Sequence, residues 1–381
     1  MRIGVPREKK DGERRVGVTP EGVRRLVGDG HVVIVETGAG AAVGFDDAAY
    51  AGAGATVTPA PDAVWTCPLV VKVKELQPAE FAHLVAGTTI FGFAQLNRDA
   101  ALLAAVRTAG VQVIGYETVR DTNGRLPLLA PMSRIAGRLA PLVGAQALTT
   151  AHGGAGVLLP GVDGVPGASV VVIGAGNVGG EAARIAARLG ARVVLVSRGA
   201  PRRDALATAL AAEGHPIAAF GLADASDGRF AEVIAAADLV IGGVLEPGTL
   251  SPKLIPRALV AAMRPGSVIV DVGIDHGGIA ETSRMTKLSD PTYVECGVVH
   301  YAVPNMPALV ARTATQAFAD ATLPYVRKLA GAGIARALSD DAGLKDGLQV
   351  WDGEIVHAGL AAADGRTLGK PPGSWRPAVR A

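Results

Sequence analysis

Ser169-Val170-Val171-Val172-Ile173-Gly174-Ala175-Gly176-Asn177-Val178-Gly179 is the stretch whose reading decides the fold of this chain. The run Val170–Ile173 is β-branched throughout, as expected of a strand buried on both faces. Glycines at 174, 176 and 179 follow at once, and a helical pattern over Glu181–Leu189 puts Ala182, Ile185, Ala186 and Leu189 on one face. Each glycine has a physical task. Gly174 permits a tight turn, Gly176 lets backbone N–H groups approach a pyrophosphate, and Gly179 lets helix and strand pack closely. The helix N-terminus, with Asn177 and Val178, adds positive potential for the phosphates. Such a turn is weak evidence alone in a chain with 50 glycines; the strand before it and the helix after it give it weight.

The next strand, Arg192–Val196, bears on which dinucleotide is bound. A carboxylate at its end, about 20 residues beyond the glycines, would take the ribose 2′-hydroxyl of NAD. This sequence has Ser197-Arg198 there, with Arg202 and Arg203 after it. A guanidinium can stack on adenine and grip a 2′-phosphate. The reading favours NADP(H), with NAD(H) left open, and the arginines can also be read as a solvated helix start.

Working outward, the 381 residues suit two domains of common size, with 49% apolar and 19% charged residues to build them. Aromatic residues are only 4%, so the cores rest on Ala, Val, Leu and Ile. Before the glycine turn, strands are expected at Val32–Val35, Leu69–Val73, Thr89–Phe93 and Val111–Tyr116. Helices are expected at Pro20–Val27, Pro78–Leu84 and Arg98–Ala109, a second parallel α/β layer. A helix over Ser133–Thr150 leads to the loop His152–Gly156, read as a connector between domains. Further buried strands are expected at Leu239–Gly242 and Ser267–Val272. A helical stretch over Pro307–Lys328 is read as crossing back to the first domain, and the tail with Pro371, Pro372 and Pro377 as an irregular arm. The expected fold is α/β, two domains each with a mainly parallel sheet and flanking helices, the second a Rossmann fold. Its boundaries are 1–132 with 306–381 for substrate and 133–305 for the nucleotide.

A net charge of +2 with scattered basic residues argues against a nucleic-acid partner. No apolar run reaches the roughly 18 residues of a membrane span, and the first residues read as a strand rather than a signal peptide. Two cysteines, Cys67 and Cys296, make neither a disulfide framework nor a metal-ligand spacing. The expectation is a cytoplasmic protein with no metal.

Ordered segments along nearly the whole chain carry a resemblance. They are Met1–Glu8, Arg15–Pro20, Val71–Glu75, Tyr116–Val119, Leu128–Ser133, the Gly-Ala-Gly turn, Asp271–Gly278 and Val303–Pro307. Together they resemble alanine dehydrogenase and the related N-terminal part of proton-translocating transhydrogenase. The resemblance implies two α/β domains, a small carboxylate-bearing substrate and a homo-oligomer, a hexamer or dimer. It implies an oxidoreductase that moves a hydride between a nicotinamide and the α-carbon of a small amino, imino or oxo acid. By the same resemblance Arg15 holds the substrate carboxylate, as its fork fits one bidentately. Lys74 contacts the oxo or amino end, and Asp275 is the active-site aspartate. Met132 and Asn305 flank the substrate, and Glu117 either orients the site or touches substrate. Ser133, Val244, Leu245, Ile274, Asp275 and Asn305 lie by the cofactor.

One position departs from the family's pattern. Alanine dehydrogenases carry a catalytic histidine where this chain has Gln95. Glutamine can hold a hydrogen bond but cannot exchange a proton near neutral pH. Three explanations stand: Lys74 or Asp275 does the proton work alone, the substrate is a preformed imine, or His276 or His300 reaches the site. Arg134 adds a positive charge beside Ser133. On this reading alanine is not the expected substrate. A lyase or cyclodeaminase that recycles a bound nucleotide, and a non-catalytic nucleotide-binding subunit, remain as alternatives.

Overall fold

The computed structural model describes residues 1–222, 228–244, 251–365 and 368–369. The chain forms two compact units, Met1–Met132 with Val310–Ala381, and Ser133–Leu309. The chain thus re-enters the first unit at 310 rather than 306.

The first unit is built on β1 (Arg2–Val5), β2 (Val32–Glu36), β3 (Thr56–Thr58), β4 (Leu69–Val71), β5 (Thr89–Gly92) and β6 (Gln112–Gly115). These pair in parallel in the order β3-β2-β1-β4-β5-β6. The order reverses between β1 and β4, so the segments leaving those two strands part to opposite sides of a crevice at the carboxyl edge. Val70, Ile90 and Val113 on one face join Leu102, Leu103 and Val106 of the helix Ala100–Thr108 in one apolar cluster. Asp99 caps that helix, accepting from the N–H groups of Ala101 and Leu102 at 2.9 and 3.1 Å.

The second unit is built on β7 (Ser169–Ile173), β8 (Arg192–Ser197), β9 (Ala218–Gly221), β10 (Leu239–Gly242), β11 (Val268–Asp271), β12 (Thr292–Glu295) and β13 (Val298–Tyr301). Its order is β12-β13-β11-β10-β7-β8-β9. All pairs are parallel except β12 with β13. Without β12 this is the doubly wound dinucleotide-binding order, with its crevice between β7 and β10. After it, β14 (Leu348–Trp351) and β15 (Glu354–Ile355) extend the first sheet as antiparallel strands beyond β6.

Several elements differ from their reading. The helix after the glycine turn runs Asn177–Arg188 and buries Gly179, Ala182, Ala183, Ala186 and Ala187, while Leu189 lies exposed. Small side chains let it sit close to the sheet, so the alanine stripe wins over the larger Ile185 and Leu189. The helix read as Ser133–Thr150 runs Ala130–Ala147, starting early because a proline is tolerated in a first turn; the boundary between units falls inside it. The loop His152–Gly156 is no connector. It is bound into the second unit, Ala155 N–H to Gly266 O and Gly156 N–H to Leu148 O, both 2.9 Å. Pro78–His83 is a 3-10 helix, and the return helix is Ala311–Ala332 after a 3-10 turn at Met306–Val310. Strands β14 and β15 were not anticipated. The expected arm around Pro371, Pro372 and Pro377 lies outside the described residues.

Candidate active site and nucleotide site

In the first unit the predicted polar groups gather where β1, β4, β5 and β6 end. Arg15 lies on the segment after β1 and is buried, not a surface cation. Its Nε and Nη2 donate to the two carboxylate oxygens of Glu13 at 2.8 and 2.6 Å, and its Nη1 lies 3.0 Å from Met132 Sδ. The bidentate edge that was expected to meet a substrate carboxylate is therefore occupied by Glu13. The reason is local: Glu13 is two residues away and wholly enclosed, and a buried guanidinium needs a carboxylate partner. The Arg15 Nη1 is turned to Met132.

Lys74 follows β4 and is buried, its Nζ 3.4 Å from Glu75 Oε2. Lys10, from the segment after β1, also pairs with Glu75. Burial pushes the Glu75 carboxyl up, but Lys74 and Lys10 outweigh it and hold it below its ordinary value. Behind Lys74 lies a group the sequence reading passed over. Lys72 Nζ sits 3.1 Å from Glu8 Oε2 and 3.2 Å from Glu80 Oε2, with all three side chains fully enclosed. Glu8 also accepts the N–H groups of Val73 at 2.6 Å and Lys74 at 3.3 Å. Burial raises the Glu8 pKa against the pull of Lys72. Burial works against the Lys72 ammonium, yet its two carboxylates keep its pKa above the ordinary value. This buried cluster fixes the backbone that carries Lys74. A lysine inside a β-branched run, Val70-Val71-Lys72-Val73, was the available signal.

Gln95 follows β5 with a left-handed backbone, φ +48°. The Glu117 carboxylate accepts the N–H of Ala94 at 3.2 Å and of Gln95 at 2.9 Å, and the side-chain amide of Gln349 at 3.1 Å. Arg98 Nη1 approaches Gln95 Oε1 at 3.5 Å.

In the second unit the glycine turn is shaped for a phosphate. Gly174 has φ +105°, open to few residues but glycine. A Cβ on Gly179 would lie 1.8 Å from Gly174 O, whereas one on Gly176 would meet nothing within 4 Å. The space at Gly176, at the N-terminus of the helix Asn177–Arg188, fits the pyrophosphate of a dinucleotide. Val178 lies in the helix's first turn. Ser197 ends β8, and Arg198 and Arg202 beyond it are exposed. Arg203 pairs with Asp204 on its own helix, with bonds of 2.7 and 3.3 Å.

Val244 follows β10, at the crevice beside β7; Leu245 lies outside the described residues. Ile274 and Asp275 sit on a 3-10 turn after β11, and Asp275 Oδ2 accepts the Asn305 N–H at 3.4 Å. Asn305 is left-handed, φ +63°. Asp271, not anticipated, organises this loop: its buried carboxylate accepts from Ile279 N–H at 2.8 Å and Ser283 Oγ at 2.6 Å. Ser133 is half-buried on the helix Ala130–Ala147, and Arg134 beside it is exposed.

His300 is not a site residue. It is fully buried on β13, with Nε2 2.8 Å from Thr282 Oγ1 and Nδ1 3.0 Å from Val298 O, and its ring stacks on Tyr293. Burial lowers its pKa, so it is a neutral packing residue. His276 closes the turn that carries Asp275, and its carbonyl accepts from Ser251 N–H at 2.7 Å.

Comparison with known proteins agrees with this geometry. Residues 4–136 match the family model for the alanine dehydrogenase/PNT N-terminal domain and residues 140–358 that for the C-terminal domain. An alanine dehydrogenase of Halomonas elongata is 47% identical over 96% of this chain and 97% of its own. A solved L-alanine dehydrogenase superposes with a TM-score of 0.90 at 44% identity, covering 96% of this chain and 99% of that one. A transhydrogenase of Sinorhizobium meliloti gives a TM-score of 0.79 at 26% identity, covering 93% and 100%. No helix among the described residues is long and apolar enough to cross a membrane. Two parallel α/β units, a glycine turn open to a pyrophosphate and matches over both halves lead to one conclusion: the chain belongs to the alanine dehydrogenase/PNT family and is a nicotinamide-nucleotide-dependent oxidoreductase of the alanine dehydrogenase type.

Proposed function

We propose that this enzyme interconverts a small amino acid and its 2-oxo acid, the first unit receiving the substrate and the second an NADP(H). The observation that carries the reading is the position of Arg15 and Lys74. They lie on the segments leaving β1 and β4, the adjacent strands between which the first sheet reverses. Alanine and pyruvate are the leading pair, because a relative 47% identical over nearly the whole chain bears the name alanine dehydrogenase. The expectation that alanine is not the substrate has no support from the comparisons.

When bound, the nicotinamide gives or takes the hydride. The chain's residues bind, orient and move protons. Arg15, paired with Glu13 along one edge, holds the carboxylate, with Met132 packed beside it. Lys74 supplies the positive charge at the oxo or amino end, and Asp275, steadied by Asn305, is the second polar catalytic group. Gln95 donates a hydrogen bond to the substrate oxygen and leaves proton exchange to Lys74 and Asp275. Glu117 acts by orienting, since its carboxylate is engaged by three N–H donors. Gly174, Gly176 and Gly179 with Asn177 and Val178 hold the pyrophosphate. Ser197 with Arg198 and Arg202 faces the adenosine 2′-phosphate, and Ser133, Val244, Ile274 and Asn305 lie along the rest of the nucleotide. The same proposal includes self-association and a cytoplasmic location. Leu158, Val162 and Val165 present exposed apolar side chains in one segment, which sedimentation can test.

The test is a titration with NADPH and NADH, followed by initial rates of L-alanine oxidation with each oxidised nucleotide. Tighter binding of NADPH and alanine-dependent reduction of NADP are expected. A tenfold preference for NADH sinks the cofactor assignment, and no turnover with either nucleotide sinks the reaction.

A further inference from the structure

The left-handed backbone of Gln95 is an unfavourable conformation for a residue other than glycine, asparagine, aspartate or histidine, and something must hold it. The grip is the Glu117 carboxylate, which accepts the N–H groups of Ala94 and Gln95. Glu117 is itself held from the far end of the sequence. Gln349, buried on β14, donates its side-chain amide to Glu117 Oε1 at 3.1 Å. Two features are built for this contact. The pairing of β14 with β6 runs Leu348↔Ile114 and Val350↔Val113, so Gln349 sits at a bulge, a device that re-aims a side chain. Gly115, near the end of β6, leaves the space the amide fills, since a Cβ there would lie 2.1 Å from Gln349 Nε2.

We propose that Gln349 is a positioning residue, locking Gln95 through Glu117 in the conformation the site uses. The strand β14 is therefore a support of the site as well as a sheet edge. The inference rests on the reading above only in taking Gln95 to face the substrate.

The test is Gln349→Leu, with Gln349→Asn as the milder change should the first not fold. Hydrogen exchange at the Ala94 and Gln95 amides is read on the whole protein, beside steady-state kinetics with pyruvate, ammonium and NADPH. Loss of a hydrogen bond to a charged group predicts exchange at these amides faster by about tenfold or more, and kcat/KM for pyruvate lower by about tenfold. The KM for NADPH stays within about twofold. A role confined to general stability would move both KM values and exchange across the first unit together, and that pattern overturns the proposal. Unchanged exchange at Ala94 and Gln95 overturns it as well. Faster exchange in the variant of an enzyme that turns over no pyruvate supports the positioning role and refutes the proposed substrate instead.

Discussion

Replacing Lys72 by Met tests the buried charge cluster directly. Lys72 is wholly enclosed with Glu8 and Glu80, its Nζ 3.1 and 3.2 Å from their oxygens. Methionine matches most of the aliphatic stem, so the loss is chiefly the cation. Removing one partner of a buried pair costs about 3–5 kcal/mol, because a charge is left uncompensated in a low-dielectric site. For a folded unit of about 200 residues this lowers Tm by roughly 6–20 °C. The loss carries a pH signature. Burial already holds the Glu8 pKa above its ordinary value, against the pull of Lys72. A carboxyl with a raised folded pKa binds its proton more tightly folded than unfolded. Stability therefore falls as pH rises from the unfolded value through the folded one. Without Lys72 that folded pKa climbs further, and the deficit should be largest near pH 8 and shrink toward pH 5.5. Urea melts followed by circular dichroism at both pH values measure it. A deficit below about 1 kcal/mol at pH 8, or one equal at the two pH values, would refute the reasoning.

Four further substitutions address the site and the glycine turn. Gln95→His places a titratable ring on a backbone that histidine tolerates, and L-alanine oxidation should rise at least about tenfold with a new pH dependence near 6.5. A pH–rate profile unchanged from the parent counts against the role given to Gln95. Ser197→Asp puts a carboxylate at the end of β8 and should shift the NADPH to NADH affinity ratio by about tenfold or more toward NADH; fluorescence titration reads it. Gly176→Ala enters open space, so its melting curve should match the parent while nucleotide affinity drops by about tenfold. Gly179→Ala, whose Cβ would lie 1.8 Å from Gly174 O, should destabilise the second unit itself. Equal melting of the two alanine variants would contradict the division of labour in the turn.

The nucleotide half was readable because its signals are local. A β-branched run, three glycines and a helical pattern lie within one continuous stretch, and each constrains its neighbours through backbone sterics. The place of Lys74 just after a strand at a carboxyl edge was legible for a similar reason, whereas Gln95 drew notice only through the family resemblance. On the helix after the turn Ala182 and Ala186 are buried as expected, but close packing on the sheet favours Ala183 and Ala187 over Ile185 and Leu189. His300 was open to two readings until its hydrogen bonds were seen, since nothing in a sequence says which partners surround a ring.

The family resemblance marked Gln95 as standing where a histidine is expected; by itself the sequence determined the two α/β units, the glycine turn and the missing carboxylate at Ser197. These follow from residue type and from neighbours a few positions away. Only the tertiary structure decided that Glu13 takes one edge of Arg15, that Glu8, Lys72 and Glu80 bury their charges beneath Lys74, and that Gln349 reaches Glu117. Glu8 with Lys72, and Gln349 with Glu117, meet across distant stretches of chain. They are chosen by the need to satisfy every charge and N–H removed from water, a requirement that exists only once the chain has folded.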